Sequence, residues 1–307
     1  MRWPDGKAFA FTIFDDTDLS RLPDIKRVYD FLGECGFRTT KSVWPLRGDG
    51  PPKVGGSTCE DPEYLAWVLE LQRQGFEIGF HNATYHTSSR EETIRGLDRF
   101  RELFGHDPRT MANHAGCREG IYWGSDRVSG WRRLAYNVLD RGRHRGMFQG
   151  HRPDSPWFWG DVCRARVTYV RNFVFGRLDT LEACPELPYH DPQRPYVHQW
   201  FASTEGATGP SFVRAIRESE QDRLAARGGA CIMYTHLAAG FLDGGRLRPD
   251  FERLMRRLAG LGGWYVPVHV LLDHIRQQRG DHVLSRRERA RLERRWLAHR
   301  IRTRGTT

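Results

Sequence analysis

Three stretches of the sequence carry acid, base or metal-type side chains directly behind an apolar run. They are Asp15-Asp16 behind residues 8–14, His81 behind residues 76–80, and His236 behind residues 230–235. Two imidazoles and one carboxylate, with open positions, suit a catalytic Zn²⁺ or Fe²⁺. Such an ion polarises a carbonyl and lowers the pKa of its bound water to roughly 7. Hydrolysis also needs a base for the water and an acid for the leaving group. A second carboxylate beside the ligand Asp and a separate His would supply both. His81 and His86 lie five apart in His81-Asn82-Ala83-Thr84-Tyr85-His86. On an ideal helix five residues subtend about 140°, so the two rings can share an ion only from a loop. A loop is what the segment predicts, between a strand and the cap Ser89.

The elements around these residues alternate. Strands are expected over 8–14, 39–46, 76–80 and 110–114, and helices over 23–35, 62–74, 89–104 and 125–140. The helix at 89 opens with the box Ser89-x-x-Glu92. The segment 141–210 is less regular and reads as elaborated loops and strands. Alternation then returns with a helix over 211–227, a strand over 230–235, a helix over 249–261, a short strand over 264–267 and a helix over 268–278. A strand–helix unit every 30 to 35 residues implies parallel strands with crossover helices. In such folds the C-terminal strand ends gather on one face, where sites are built. No G-x-G-x-x-G opens a helix after a strand, which counts against dinucleotide binding.

Composition removes other classes. The 307 residues are 39% hydrophobic, and the apolar runs fall short of the roughly 20 residues that span a bilayer. The net charge of +10 is concentrated in residues 276–307, where 11 Arg meet 3 acids, so the first 275 residues carry only +2. With no recognition motif in the body, a nucleic-acid function is not expected. Residues 285–301 read as a basic helix with an apolar stripe of Leu292, Trp296 and Ile301. The helix either docks through Trp296 or contacts a partner or an anionic surface. The six cysteines form no C-x-x-C pair and read as free thiols. The N-terminus has no charged region followed by an apolar one, so a cytoplasmic location is expected.

These residues resemble the polysaccharide deacetylases of the NodB homology type, carbohydrate esterase family 4. Thr12-Ile13-Phe14-Asp15-Asp16 looks like that family's Thr-Phe-Asp-Asp-Gly. Gly75-Phe76-Glu77-Ile78-Gly79-Phe80-His81 is similar to its Gly-His-Glu-Ile-Gly and following His, and Ile232-Met233-Tyr234-Thr235-His236 to its late strand and His. The resemblance spans about residues 8–279 and implies a distorted (β/α)7-type barrel, with a basic helical extension over 280–307. It implies Asp15 as base, Asp16, His81 and His86 as metal ligands, and His236 as acid. Thr17 stands where the family has Gly, Asp18 adds a third carboxylate, and the His spacing is one residue longer. The family's Arg motif is replaced by residues 113–123, in which Arg118 reads as the group orienting Asp15. Asp18, Asn113, His114 and Trp123 read as substrate-binding, and His114 alternatively as an ion ligand. Asp161 stands as a supporting acid, and Trp44, Trp157, Trp159 and Trp200 as candidates to stack on sugar.

The activity implied is metal-dependent removal of an N- or O-acetyl group from a sugar-containing substrate. The ion implied is zinc first, with Fe, Co or Mn as alternatives. Two other readings stay open. One is a hydrolase of other non-peptide C–N bonds, with or without a metal. The other is a non-catalytic binding protein with a decayed site.

Overall fold

The computed structural model describes residues 1–303 apart from Lys53. Seven parallel strands close into a barrel: β1 (Ala10–Asp15), β2 (Thr40–Val43), β3 (Glu77–Phe80), β4 (Thr110–Met111), β5 (Tyr169–Phe175), β6 (Gln199–Glu205) and β7 (Ala230–Thr235). They stand around the ring in chain order, and β7 pairs with β1 over six residues from Ala10↔Ala230 to Asp15↔Thr235. Each strand is buried on both faces apart from Glu205 at the end of β6. That burial is why the strands read as apolar runs rather than as alternating patterns. The expected (β/α)7-type barrel is the observed fold.

Crossover helices wrap the outside. Asp24–Glu34 buries Ile25, Val28, Phe31 and Leu32 against the barrel. Arg90–Phe104 starts at Ser89, whose hydroxyl accepts the Glu92 N–H, and ends at Gly105 in the left-handed conformation. This is the start and stop chemistry the sequence carries.

Several elements differ from expectation, among them the helix expected over 211–227, which is two, Gly209–Ala215 and Glu218–Arg227. The helix expected over 125–140 is a 3-10 turn (Gly124–Arg127) followed by a helix over Trp131–Leu139, because Gly130 at φ 55° interrupts it. The strand expected over 264–267 is a single bridge, Ala10↔Trp264. The irregular segment 141–210 supplies two full barrel strands, β5 and β6.

The C-terminal helix Arg286–Thr303 lies against the barrel. Trp296 is fully buried, stacked on Tyr136 at 5.5 Å and tilted against Phe173 of β5 at 5.2 Å. Glu293 is buried with it and accepts from Arg132, Arg194 and Ser129. Arg286, Arg287, Arg291 and Arg294 point to solvent. Residues 304–307 of the expected extension lie outside the described residues. Among those described, no helix is long and apolar enough to cross a membrane.

Candidate active site

Each barrel strand has its C-terminal end on one face, and the chemistry-bearing residues follow there. β1 leads into Asp16 and Asp18, β3 into His81, β4 into Asn113 and His114, and β7 into His236, while Arg171 projects from β5. All of them but His114 line a cavity of 340 Å³, within the roughly 300–1,000 Å³ usual for small-molecule sites.

Three donor atoms converge at this cavity. Asp18 Oδ1 lies 3.2 Å from His81 Nε2 and 3.0 Å from His114 Nδ1, and the two imidazole nitrogens are 3.2 Å apart. All three residues are buried. Asp18 Oδ1 has no aligned hydrogen-bond donor although two ring nitrogens are within reach. A buried carboxylate oxygen without a donor is costly, and ring tautomers that leave both facing nitrogens unprotonated give it none. A divalent cation would satisfy all three atoms, and two His with one carboxylate is a donor set for Zn²⁺ or Fe²⁺. Burial raises the Asp18 pKa, but His114, His236 and His81 outweigh it and hold the carboxyl well below the usual range.

The triad is braced from behind. Trp44, fully buried, meets the His114 ring edge-on at 5.1 Å and lies 5.9 Å from His81. Asn82 takes φ 63°, a left-handed value that Asn tolerates. There its side-chain oxygen accepts the His114 N–H and its amide donates to Glu119. Glu119 also accepts the Ser88 N–H, so one buried carboxyl ties the loop after β3 to the loop after β4.

Asp16 and His236 face the same cavity. Arg171 donates to both Asp16 oxygens, at 2.7 and 2.5 Å, with both side chains buried. His236 Nδ1 lies 2.9 Å from the Ala207 carbonyl, which fixes that nitrogen as the donor. Its Nε2 then points at Asp18 Oδ2, 3.3 Å away. Burial pulls the His236 pKa down, but the hydrogen bond to Asp18 and the charge of Asp16 push it up to about 9. The ring therefore carries a proton at neutral pH.

Several expected residues stand elsewhere. Asp15 is fully buried under the cavity. One oxygen accepts the Leu237 N–H at 2.8 Å, and the other faces Tyr29 Oη and Lys41 Nζ, each at 3.0 Å. Asp16 meets a guanidinium rather than the imidazoles. His86 packs on the loop at 48–50, where its Nε2 is 3.4 Å from the Gly50 carbonyl and a Cβ on Gly48 would lie 2.7 Å from its ring. It is not part of the triad, because the chain turns away at Asn82. Arg118 stacks over Trp157 at 4.8 Å and touches neither Asp15 nor the cavity lining. Asp161 pairs with Arg90 on the outer surface.

Asp18 and His114, expected at the substrate, sit in the donor triad. Asn113 lines the cavity and fixes its own loop through both polar atoms, which bond the backbone of Ile121. Trp123 forms part of the wall, whereas Trp159 and Trp200 are core. Sequence reasoning missed Arg171. Its signal is an Arg inside the run Tyr169-Val170-Arg171-Asn172-Phe173-Val174-Phe175, which reads as a strand once the barrel needs one there.

No protein-family model and no curated protein matches the chain. Among solved structures, it is similar to the Puue allantoinase at 12% identity, with 91% of this chain and 93% of that one covered and a TM-score of 0.49. It is also similar to a chain assigned as a polysaccharide deacetylase from Mycobacterium smegmatis, at 13% identity, 93% and 96% coverage and a TM-score of 0.48. A third is the peptidoglycan deacetylase PdaC from Bacillus subtilis, at 13% identity, 96% and 99% coverage and a TM-score of 0.40.

Proposed function

We propose that this chain is a hydrolase that removes an acyl group, acetyl first among them, from a carbohydrate-containing substrate, using a divalent cation held by Asp18, His81 and His114. The observation that carries the reading is the convergence of those three buried donor atoms within 3.2 Å of one another, on a cavity that Asp16 and His236 also line. Zinc is the first candidate, and Fe, Co or Mn fit the same donors. When bound, the cation would polarise the acyl oxygen and make a water more acidic.

The chain's own groups do the rest. Asp16 accepts the proton of the attacking water, and Arg171 holds its carboxylate in one orientation. His236, held through Nδ1 by the Ala207 carbonyl, presents Nε2 as the proton donor to the departing amine or alcohol. Trp123 offers an aromatic face to a sugar ring. The closed lower barrel excludes water from below. The motif resemblance to the NodB-type deacetylases supports the same reaction class, with base and ligand each displaced along the chain. Asp16 takes the role expected of Asp15, and Asp18 that expected of Asp16.

Elemental analysis of purified wild type beside Asp18→Ala, His114→Ala and His86→Ala tests the reading, together with acetate release from N-acetylated sugars. The expected result is about one ion per chain in wild type and His86→Ala, and none in the other two. Loss of the ion in His86→Ala with retention in the other two would overturn the assignment.

A further inference from the structure

The cavity wall holds a buried cation with no acid to match it. Arg127 is 1% exposed and lines the cavity. Its guanidinium lies between two indoles, 3.7 Å from the Trp123 centroid and 4.7 Å from that of Trp296. Its polar contacts are neutral: a long 3.4 Å bond to the Asn172 carbonyl and the Tyr136 hydroxyl. Its Nε has no partner. The acids nearby are taken by other residues. Glu293 pairs with Arg132 and Arg194, Asp126 with Arg133 and Arg152, Asp140 with His144, and Asp16 with Arg171. Among the described residues, none of these carboxylates comes within 4 Å of the Arg127 guanidinium. Buried charges in proteins are normally paired, because an uncompensated one costs several kcal/mol. Burial pulls this guanidinium down to about 9, which still leaves it charged at neutral pH. Arg300 of the C-terminal helix reaches the same wall.

We infer that the missing acid is brought by the ligand. The cavity takes a substrate bearing an oxyanion, a carboxylate or a phosphate, which Arg127 binds while the acyl group lies at the Asp18, His81 and His114 end. Only the placement of the acyl group at the Asp18, His81 and His114 end rests on the proposed hydrolase reading. A planar guanidinium suits two-point binding of either oxyanion, and Arg127 reaches the cavity lining from within the wall. The substrate class narrows from acetylated sugars in general to acidic ones, such as a lactyl-ether or phosphorylated N-acetyl hexosamine.

The test is ligand binding, read by thermal shift and calorimetry on the full chain, as purified and again after its metal has been stripped and the chelator dialysed away. The probes are N-acetylglucosamine, N-acetylmuramic acid, N-acetylglucosamine 6-phosphate and inorganic phosphate, against wild type and Arg127→Met. At least one anionic probe should bind wild type about ten- to hundred-fold more tightly than the neutral sugar, as a charged hydrogen bond allows. That preference should survive metal removal and vanish in Arg127→Met. The stronger of the carboxylate and phosphate arms names the source of the anion. Arg127→Met itself should keep or raise Tm, since an apolar side chain of similar size replaces an unpaired charge. Three results would overturn the inference: no anionic preference in wild type, anion binding unchanged in Arg127→Met, or a large loss of Tm in that variant with anion binding intact. The second would place the anion elsewhere, for instance in the outer groove rimmed by Arg177, Arg214, Arg217 and Arg223. A wild-type chain that holds no metal as purified or after reconstitution, yet keeps the anionic preference, would sink the hydrolase reading alone.

Discussion

Arg171 grips Asp16 through two parallel bonds across 155 positions of sequence, with both side chains removed from water. The fork aims the carboxylate and pairs it with a guanidinium in a site where an unpaired charge would be costly. Asp16→Asn keeps the shape and removes the proton acceptor. Turnover should fall by about 10²–10⁴ while the metal content stays at the wild-type level. Arg171→Met leaves Asp16 buried and unpaired, and should lower stability by about 3–5 kcal/mol as well as activity. Steady-state kinetics beside chemical denaturation separate the two. A fully active Asp16→Asn would return the base to another residue.

The neighbouring acid behaves differently. Asp15 and Lys41 form an ion pair at 3.0 Å with neither side chain exposed, and Lys41 also donates to Ser20. Asp15 is thus a strut between β1, β2 and the turn after β7, not a group that meets substrate. Asp15→Asn should cost about 3–5 kcal/mol of folding stability by stranding the Lys41 charge. The double variant Asp15→Asn, Lys41→Met should recover part of that loss. Urea denaturation reads both. An Asp15→Asn protein of wild-type stability and no activity would reinstate Asp15 as the base.

What could be read from sequence follows from how local each signal is. The barrel was legible because its strands are short apolar runs, with helices between them that carry Ser caps and Gly stops. The candidate site was legible where a polar residue ends such a run, as His81, His114 and His236 do. It was not legible where three carboxylates crowd one loop: nothing local tells Asp15, Asp16 and Asp18 apart. Their different neighbours are Lys41, Arg171 and the two imidazoles, all distant in sequence. The place of His86 away from those imidazoles was hidden for the same reason, since the left-handed turn at Asn82 leaves no mark on the spacing. β5 and β6 were legible only as part of an irregular segment of loops and strands, because Arg171 and Asn172 break the apolar run of β5.

Glu119 gives the stability a pH dependence with a definite sign. Full burial pushes its pKa up to about 7, against the donors Asn82 and Ser88 that favour the ionised form. The folded state therefore holds a proton that the unfolded chain releases near pH 4.5. The Glu119 contribution to stability should be greatest below pH 4.5, decline as pH rises to about 7, and level off above it. The full span is about 3 kcal/mol by linkage. Denaturation curves from pH 5 to 8 on wild type and Glu119→Gln test this. The wild-type curve should fall relative to the variant over that interval, and parallel curves would refute the raised pKa.

The C-terminal helix is joined to the site through Trp296, with Arg300 of the same helix also in the cavity wall. Trp296 is buried between Tyr136, Phe173 and the Arg127 guanidinium, and Tyr136 and Arg127 are themselves cavity wall. Removing the indole leaves a large void behind that wall, and Phe or Trp to Ala changes in cores cost about 3–5 kcal/mol. Trp296→Ala should therefore lose stability of that order. Because the void lies behind the substrate wall and not beside Asp16 or His236, it should raise KM while kcat stays within a few-fold of wild type. Deletion after Gly280 goes further, exposing the surface that Leu284, Leu292, Trp296 and Leu297 now cover, and should give an aggregating chain. Light scattering and thermal melts of the truncated protein, with kinetics of Trp296→Ala, measure both effects. A truncated chain that stays monodisperse with unchanged Tm and KM would show that the helix is an appendage and not a wall of the site.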